Sequence, residues 1–298
     1  MYAHFDLLTP TNMDEALGAL AGDRVKNDIM PLGGGTNLIV DIRARGTAPG
    51  TLMSIAQLSD LRGISIADGR VTLGGATTVS DILRHPDMPT AAAALVESAT
   101  VFAGQMVRNT ATVAGNICFG SPAADLVPPL LVLDAVVTLV STQGSRDVPL
   151  SEYFTGYKTS VRKPDELLTA VSWTLPSDTS TSCFYKLARR KGDAIAVLGV
   201  AVSLGLENGR CEKARVALGC VGPNVIRATK AEAFLGGHEL TPALIDSAAN
   251  KAMEEVSPID DVRASAEYRK QQVQVLVRRL LGQALENIDL GIQRPCVS

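Results

Sequence analysis

Short apolar runs alternate with turn-forming clusters along the chain, and their spacing predicts a fold that mixes helices and strands. Met13, Ala16, Leu17 and Leu20 share one helical face, with Thr11 as the cap and Asp14 three residues on. A short strand over 29–32 enters a glycine loop, an apolar stretch covers 38–42, residues 43–46 read as a loop, and 51–55 is a second strand. Ile64, Ile66, Val71 and Leu73 flank Asp68-Gly69, a strong hairpin signal. Thr78 caps a short helix over 79–84, and an alanine-rich helix follows over 90–100. Ser121-Pro122 has the form of a helix cap with proline at the first helical position, which puts Asp125 at the end of the first turn. Pro128-Pro129 forbids one continuous helix there, so a short helix, a break and a turn to Asp134 are expected.

Strands are expected over 136–140, 146–150 and 167–175. The polar residues 177–182 read as a linker or exposed loop. Beyond them, strands cover 183–187, 195–206 and 213–218, the last two joined at Asn208-Gly209. Helices over 229–235, 242–256 and 265–286 finish the chain. In the last, Tyr268, Gln272, Val275, Leu276, Arg279 and Leu280 sketch one mixed face, with Arg269, Lys270, Arg278 and Glu286 in solvent. Units are expected at 1–57, 58–176 and 183–290.

Two stretches stand apart from this pattern. The first, FAGQMVRNTATVAGNICFGSPAAD over 102–125, is nearly free of charge and rich in small, hydroxyl and amide residues. Such a surface lets backbone approach an anionic ligand, because glycine has no Cβ and successive N–H groups in a turn form an anion-binding concavity. By itself it reads equally as a ligand site or as a small-residue turn. The second, Pro31-Leu32-Gly33-Gly34-Gly35-Thr36-Asn37-Leu38-Ile39, is neither a dinucleotide fingerprint nor a P-loop: no clear helix follows and no Lys-Ser/Thr ends it. Two such loops in one chain suggest two walls around one extended phosphate-bearing ligand.

Composition narrows the classes. With 298 residues, 46% hydrophobic, the chain is long enough for two or three domains with a sizeable core. A net charge of −3 argues against a nucleic-acid surface. There is no long apolar run for a membrane span and no secretory leader pattern at the start. Cys118, Cys183, Cys211, Cys220 and Cys296 are scattered, without zinc or iron–sulfur spacing, and read as reduced thiols of a cytoplasmic protein, Cys118 as a small buried filler. His4, His85 and His238 lie far apart, and no G-x-S-x-G or H-E-x-x-H motif is present. That leaves bound-cofactor chemistry as the main enzymatic option.

Taken together, Leu32-Gly-Gly-Gly-Thr-Asn37, Val107-Arg-Asn109, Thr112-Val-Ala-Gly-Asn116, Ser121-Pro-Ala-Ala-Asp125, Phe184-Tyr-Lys186 and Arg189-Arg-Lys-Gly-Asp193 resemble the flavoprotein (medium) subunits of molybdenum hydroxylases, in order along essentially the whole chain. The resemblance implies an α+β fold: an FAD-binding domain of the PCMH/vanillyl-alcohol-oxidase type in two α+β subdomains, then a C-terminal domain with a three-stranded antiparallel sheet and helices. It implies that Met30, Pro31, Leu32, Gly33, Gly34, Gly35, Thr36 and Asn37 hug the FAD pyrophosphate and ribityl chain from one wall, and that Thr112, Val113, Ala114, Gly115 and Asn116 do so from the other. Phe102 and Val107 would lie by the cofactor, Asp125 would accept from an adenosine ribose, and one of Leu167 and Leu168 would pack on it. Lys186 would reach it from the C-terminal domain, and Asp193 and Ile195 would sit near the isoalloxazine. Arg189, Arg190 and Lys191 read as a solvated run.

Two positions depart from the family. Ala194 stands where relatives often carry an aromatic, and Ala114 replaces a commoner glycine, so that position should need no positive φ or should carry mild strain. The implied function is FAD-carrying electron transfer: from [2Fe–2S] clusters of a small partner, fed by a large molybdopterin partner, to quinone, NAD, oxygen or a carrier protein. The complex is expected to be a heterotrimer that can double into a dimer. The alternatives are a stand-alone PCMH-type flavin oxidoreductase and a phosphate-ligand module that has lost its flavin.

Overall fold

The computed structural model describes residues 4–22, 28–46 and 48–292; Cys296 lies outside them. Among the described residues three larger sheets follow one another along the chain, and a two-stranded hairpin, Phe154–Gly156 with Thr159–Ser160, precedes the last strand of the second. Strands Asp6–Leu8 and Ile29–Leu32 each pair in parallel with Thr51–Ser54 between them. Parallel neighbours need crossovers, and helices Met13–Ala21 and Leu38–Arg45 lie in the two connections. The first buries Ala16, Leu17 and Leu20 against Met53, Ile55, Leu58 and Leu61. Its cap is Asn12 rather than the expected Thr11: the Asn12 side chain accepts from Glu15 N at 2.9 Å, and the Glu15 carboxylate reaches back to Thr11 N at 2.8 Å. The second helix corrects the expected loop over 43–46. Alanine and arginine continue a helix well, and Gly46 at φ 68° ends it with a left-handed cap.

The second sheet has the order Ile64–Ala67, Arg70–Gly74, Leu167–Thr174, Val136–Ser141, Gly144–Pro149, all antiparallel. Asp68 and Gly69, at φ 51° and 69°, make the tight turn the hairpin signal demands. Thr78 caps Val79–Arg84 in a full capping box with Asp81. The alanine-rich segment is two helices, Met88–Ala91 and Ala93–Thr100, because Ala92 leaves helical geometry at φ −163°, ψ 64°. No helix starts at Ser121. It begins at Val127, with Pro128 and Pro129 in the first turn of Val127–Val132, where a missing N–H costs nothing. Trp173 is fully buried at the centre and donates its indole N–H to Ala91 O at 3.2 Å.

The third sheet runs Ser180–Leu187, Leu198–Glu207, Arg210–Gly219, with a two-residue fourth strand, Ile226–Arg227. Its first strand takes in half of the expected linker: Thr181 and Ser182 are buried, and the Ser182 hydroxyl accepts from Ala94 N at 3.1 Å. The second strand starts at Leu198 rather than at Ile195, which is exposed. Helices Thr229–Leu235, Pro242–Glu254 and Ala266–Asp289 cover one face. On the last, the buried stripe is Val273, Leu276, Val277, Leu280, Leu281 and Ala284, so the expected face was misplaced by part of a turn; Tyr268 and Val275 are exposed. Arg269, expected in solvent, is 1% exposed and donates to Val197 O, Cys220 O and the Asp261 carboxylate. Carbonyls and a carboxylate take up the Nη groups of this buried guanidinium, leaving Nε without a partner among the described residues, a device that periodicity does not reveal. The fold is α+β, as expected.

The second and third sheets are joined by an apolar seam of Leu130, Phe184, Ala201 and Ala217 and by a charge cluster. Asp134, at φ 52°, receives Lys213 at 2.7 Å, Arg215 at 3.1 Å and Arg227 at 2.8 Å. Burial alone would raise the Asp134 carboxyl, but hydrogen bonds from these three cations overcome it and bring its pKa down to about 2. An ordinary aspartate titrates near ~3.9, so the cluster's contribution is complete above pH ~4 and is lost as pH falls towards ~2. Asp134→Asn is expected to cost about 1 kcal/mol at neutral pH, a figure discounted for the partial exposure of the carboxylate. It should also flatten the acid limb of the stability profile; urea titrations across that pH range measure both.

Candidate functional site

One cavity of about 330 Å³ opens between the first and second sheets. Its walls are the two glycine stretches. Met30, Pro31, Leu32, Gly33, Gly34, Gly35, Thr36, Asn37 and Leu38 form one side; Ala111, Thr112, Ala114, Gly115, Asn116, Cys118 and Phe119 form the other. Ile55, Phe102, Leu167 and Leu168 make an apolar floor, and Lys158, Arg162 and Glu166 close one end.

The walls touch through backbone. A Cβ on Gly34 would sit 1.8 Å from the Thr110 carbonyl oxygen, so only glycine can occupy that position. Gly35, at φ +70°, turns the chain into helix Leu38–Arg45, and Ile39 N donates to Gly35 O at 3.1 Å. Among the described residues, no acceptor pairs with the amide N–H groups of residues 33–37. A run of free amides beside a cavity is a ready anion site.

The opposite wall is built differently. Thr112 caps helix Val113–Cys118 by accepting from Gly115 N at 3.1 Å. Val113 N donates to Thr77 O, Ala114 N to Gly75 O, both at 3.0 Å, and Asn116 N to Thr112 O at 3.0 Å. The amides of 113–116 are therefore all committed inside the protein, and this wall offers side chains and shape instead: the Thr112 hydroxyl proton, and the Asn116 amide N–H groups, whose Oδ1 already accepts from Leu126 N. Ala114 is helical, with no positive φ and no strain, and its Cβ lies in the close gap beside Gly75.

Leu167 and Leu168 both reach the cavity. Leu167 packs with the core under the first sheet and Leu168 with the core of the second, so this strand end lies at the seam of the two. Of the other residues singled out in the sequence, Val107 and the fully buried Val113 stand behind the wall. Asp125 and Lys186 also lie outside the lining and pair with each other at 2.6 Å, both nearly buried; Lys186 donates as well to Val101 O at 3.3 Å. Burial raises the Asp125 carboxyl and Lys186 opposes it. Asp193, exposed at φ 37°, lies against Gly104, two residues from Phe102, and Ile195 is 66% exposed.

The sequence reading missed the cationic end. Lys158 and Arg162 sit in an ordinary-looking polar run, and only the fold folds that run back over Phe119. It also misjudged Cys118, which is not a buried filler. The thiol opens into the cavity while protein packs densely behind it, 3.4 Å from Tyr153 Oη, and burial pushes its pKa up, so it stays protonated at neutral pH. Glu166, 4% exposed, is held by Arg146 through two bonds of 2.7 and 2.9 Å, which lower its pKa.

Residues 3–177 match the family described as the FAD binding domain in molybdopterin dehydrogenase, and residues 183–284 match the CO dehydrogenase flavoprotein C-terminal domain. The nicotinate dehydrogenase FAD-subunit of Eubacterium barkeri is 30% identical over 293 residues, 96% of this chain and 98% of that protein. A putative xanthine dehydrogenase FAD-binding subunit of Escherichia coli K12 is 31% identical, over 85% of this chain and 88% of its own. Among solved structures, a chain of carbon monoxide dehydrogenase from Hydrogenophaga pseudoflava superposes with a TM-score of 0.91 at 28% identity, covering 96% of this chain and 99% of that one. Quinoline 2-oxidoreductase from Pseudomonas putida 86 gives 0.89 at 26% identity, over 97% and 99%.

Two pairs of substitutions separate shape from charge. Gly34→Ala drives a methyl group into backbone and is expected to cost upwards of ~3 kcal/mol, whereas Gly33→Ala meets only the Thr112 hydroxyl, at 2.7 Å, and should cost less; denaturant midpoints compare them. Lys186→Met strands the Asp125 carboxylate and is expected to cost ~3 kcal/mol, most of it recovered by adding Asp125→Asn in the same chain.

Proposed function

We propose a role for this chain from its family: it belongs to the FAD-binding flavoprotein subunits of molybdopterin dehydrogenases, components of oxidoreductase complexes. It carries FAD between two partners. A small subunit with [2Fe–2S] clusters, itself fed by a large molybdopterin subunit, is the donor, and an external acceptor takes the electrons away. The observation that carries this reading is the run of unpaired amides over 33–37 facing a second wall across one cleft.

The residues present fit FAD. Its diphosphate needs closely approaching donors, which the 33–37 amides and the Cβ-free contact at Gly34 supply. Its ring system needs an apolar bed, which Ile55, Phe102, Leu167 and Leu168 supply. When bound, FAD supplies the electron exchange between the iron–sulfur donor and the acceptor. The chain's own groups bind, orient and exclude water. The Thr112 hydroxyl and the Asn116 amide fix position from the second wall, and Arg162 adds positive charge at the far end. The Cys118 thiol, held protonated, adds no charge there. Lys186 and Asp125 tie the third sheet to the stretch behind the cavity, and Asp193 lies beside Gly104. No side chain need act as acid or base on an organic substrate.

In this reading residues 1–57 and 58–176 are the two FAD-binding subdomains and 183–290 the C-terminal flavoprotein domain. The complex is a heterotrimer able to pair into a dimer, working in the cytoplasm. Among the described residues no helix is long and apolar enough to cross a membrane.

Co-expression with the products of neighbouring genes provides the test. The chain is expected to co-purify with iron–sulfur and molybdenum subunits and to show a flavin spectrum that bleaches under anaerobic addition of the complex's substrate. A chain that takes up no FAD, or that reduces a small substrate unaided, sinks the reading.

A further inference from the structure

We infer that Lys158 and Asp41 form a clasp between the walls at the cationic end of the cavity that retains the cofactor, Lys158 acting as a positioning residue through this cross-cleft ion pair. The inference rests on the FAD reading above and adds residues to it that no glycine motif contains.

Lys158 Nζ lies 3.0 Å from Asp41 Oδ2, and both side chains are largely shielded, at 25% and 33% exposure. The two residues belong to opposite walls. Asp41 sits one turn into helix Leu38–Arg45, which continues directly from the amide-bearing loop. Lys158 is tied to the end of the other wall, where its N–H donates to Gly120 O at 3.3 Å, and its ammonium stands 4.1 Å over the Phe119 ring, itself part of the cavity lining. The pair therefore joins walls that also meet at the Gly34–Thr110 and Gly33–Thr112 contacts.

Lys158 is held at φ 55°, a conformation that costs a non-glycine residue about 1–2 kcal/mol. It packs against Gly120, at φ +64°, so closely that a Cβ there would lie 2.9 Å from the Lys158 Cα. That conformation belongs to the two-residue turn that joins Phe154–Gly156 to Thr159–Ser160, and the turn sets the ammonium over Phe119 and onto Asp41. Asp41 has a second partner in Arg45, at 3.4 Å, so removing the lysine charge leaves the carboxylate partnered and the helix intact. Parting the two walls at this end to release a ligand breaks the pair.

The experiment uses the full chain loaded with FAD. Asparagine tolerates the left-handed backbone, so Lys158→Asn removes the charge and spares the turn. Lys158→Asn and Asp41→Asn are each expected to release FAD about three- to fivefold faster, the size of a partly exposed ion pair. Release is followed by the rise of free-flavin fluorescence after dilution. The double variant is expected to match the singles rather than multiply them, and Lys158→Arg to restore slow release. High salt should accelerate release from the unsubstituted chain and leave the double variant unmoved. Release from Lys158→Asn at the unsubstituted rate, or effects that multiply in the double variant, would overturn the clasp. An unsubstituted chain that never takes up FAD would overturn the cofactor reading beneath it.

Discussion

The meeting of Gly34 with the Thr110 carbonyl fixes the rest of the site. At that point two backbones approach with no side chain between them. The parallel sheet that carries one and the antiparallel sheet that carries the other are therefore set at one separation, and the cavity is the space left on either side. An apolar contact between the same walls could relax by a rotamer change; a backbone contact cannot. Thr112 reinforces it twice, capping its own helix and filling the gap beside Gly33.

The two walls divide the labour in a way their sequences conceal. Both are small, polar and glycine-bearing, yet one leaves its amides open and the other consumes them. The difference comes from what lies behind each. The second wall backs onto Gly75 and Thr77, whose carbonyls take up Ala114 N and Val113 N. The first wall emerges from the end of a strand, and among the described residues no acceptor meets its amides.

Much of this was legible in the chain. Hairpins with Asp-Gly and Asn-Gly turns, the Thr78 cap and the three final helices are local signals, and the structure keeps them. The two walls stood out as small-residue, glycine-bearing stretches, and having two of them tipped an otherwise even choice between turn and ligand site; Phe102, Leu167 and Leu168 entered only through the family resemblance, and Ile55 had no mark. What failed was non-local. Cap positions moved by one residue at Asn12, where two adjacent side chains could serve equally. The helix at 38–45 hid behind an arginine-rich run that looked like a loop. Arg269 looked solvated because its partners, Val197, Cys220 and Asp261, come from three other segments. Lys158, Arg162 and Cys118 carried no local mark at all; a hairpin folding back over Phe119 makes them neighbours of the cleft.

Among the described residues, every side chain lining the cavity comes from the span between Met30 and Leu168, and none from the third sheet. The order of synthesis then matters. A ribosome that has delivered the central strand of the second sheet has already delivered a whole binding chamber, with more than a third of the polypeptide still to come. The later strands and helices pack behind it through Lys186 and the Asp134 cluster, so a nascent chain has an interval in which the chamber's walls are synthesised and their backing is not.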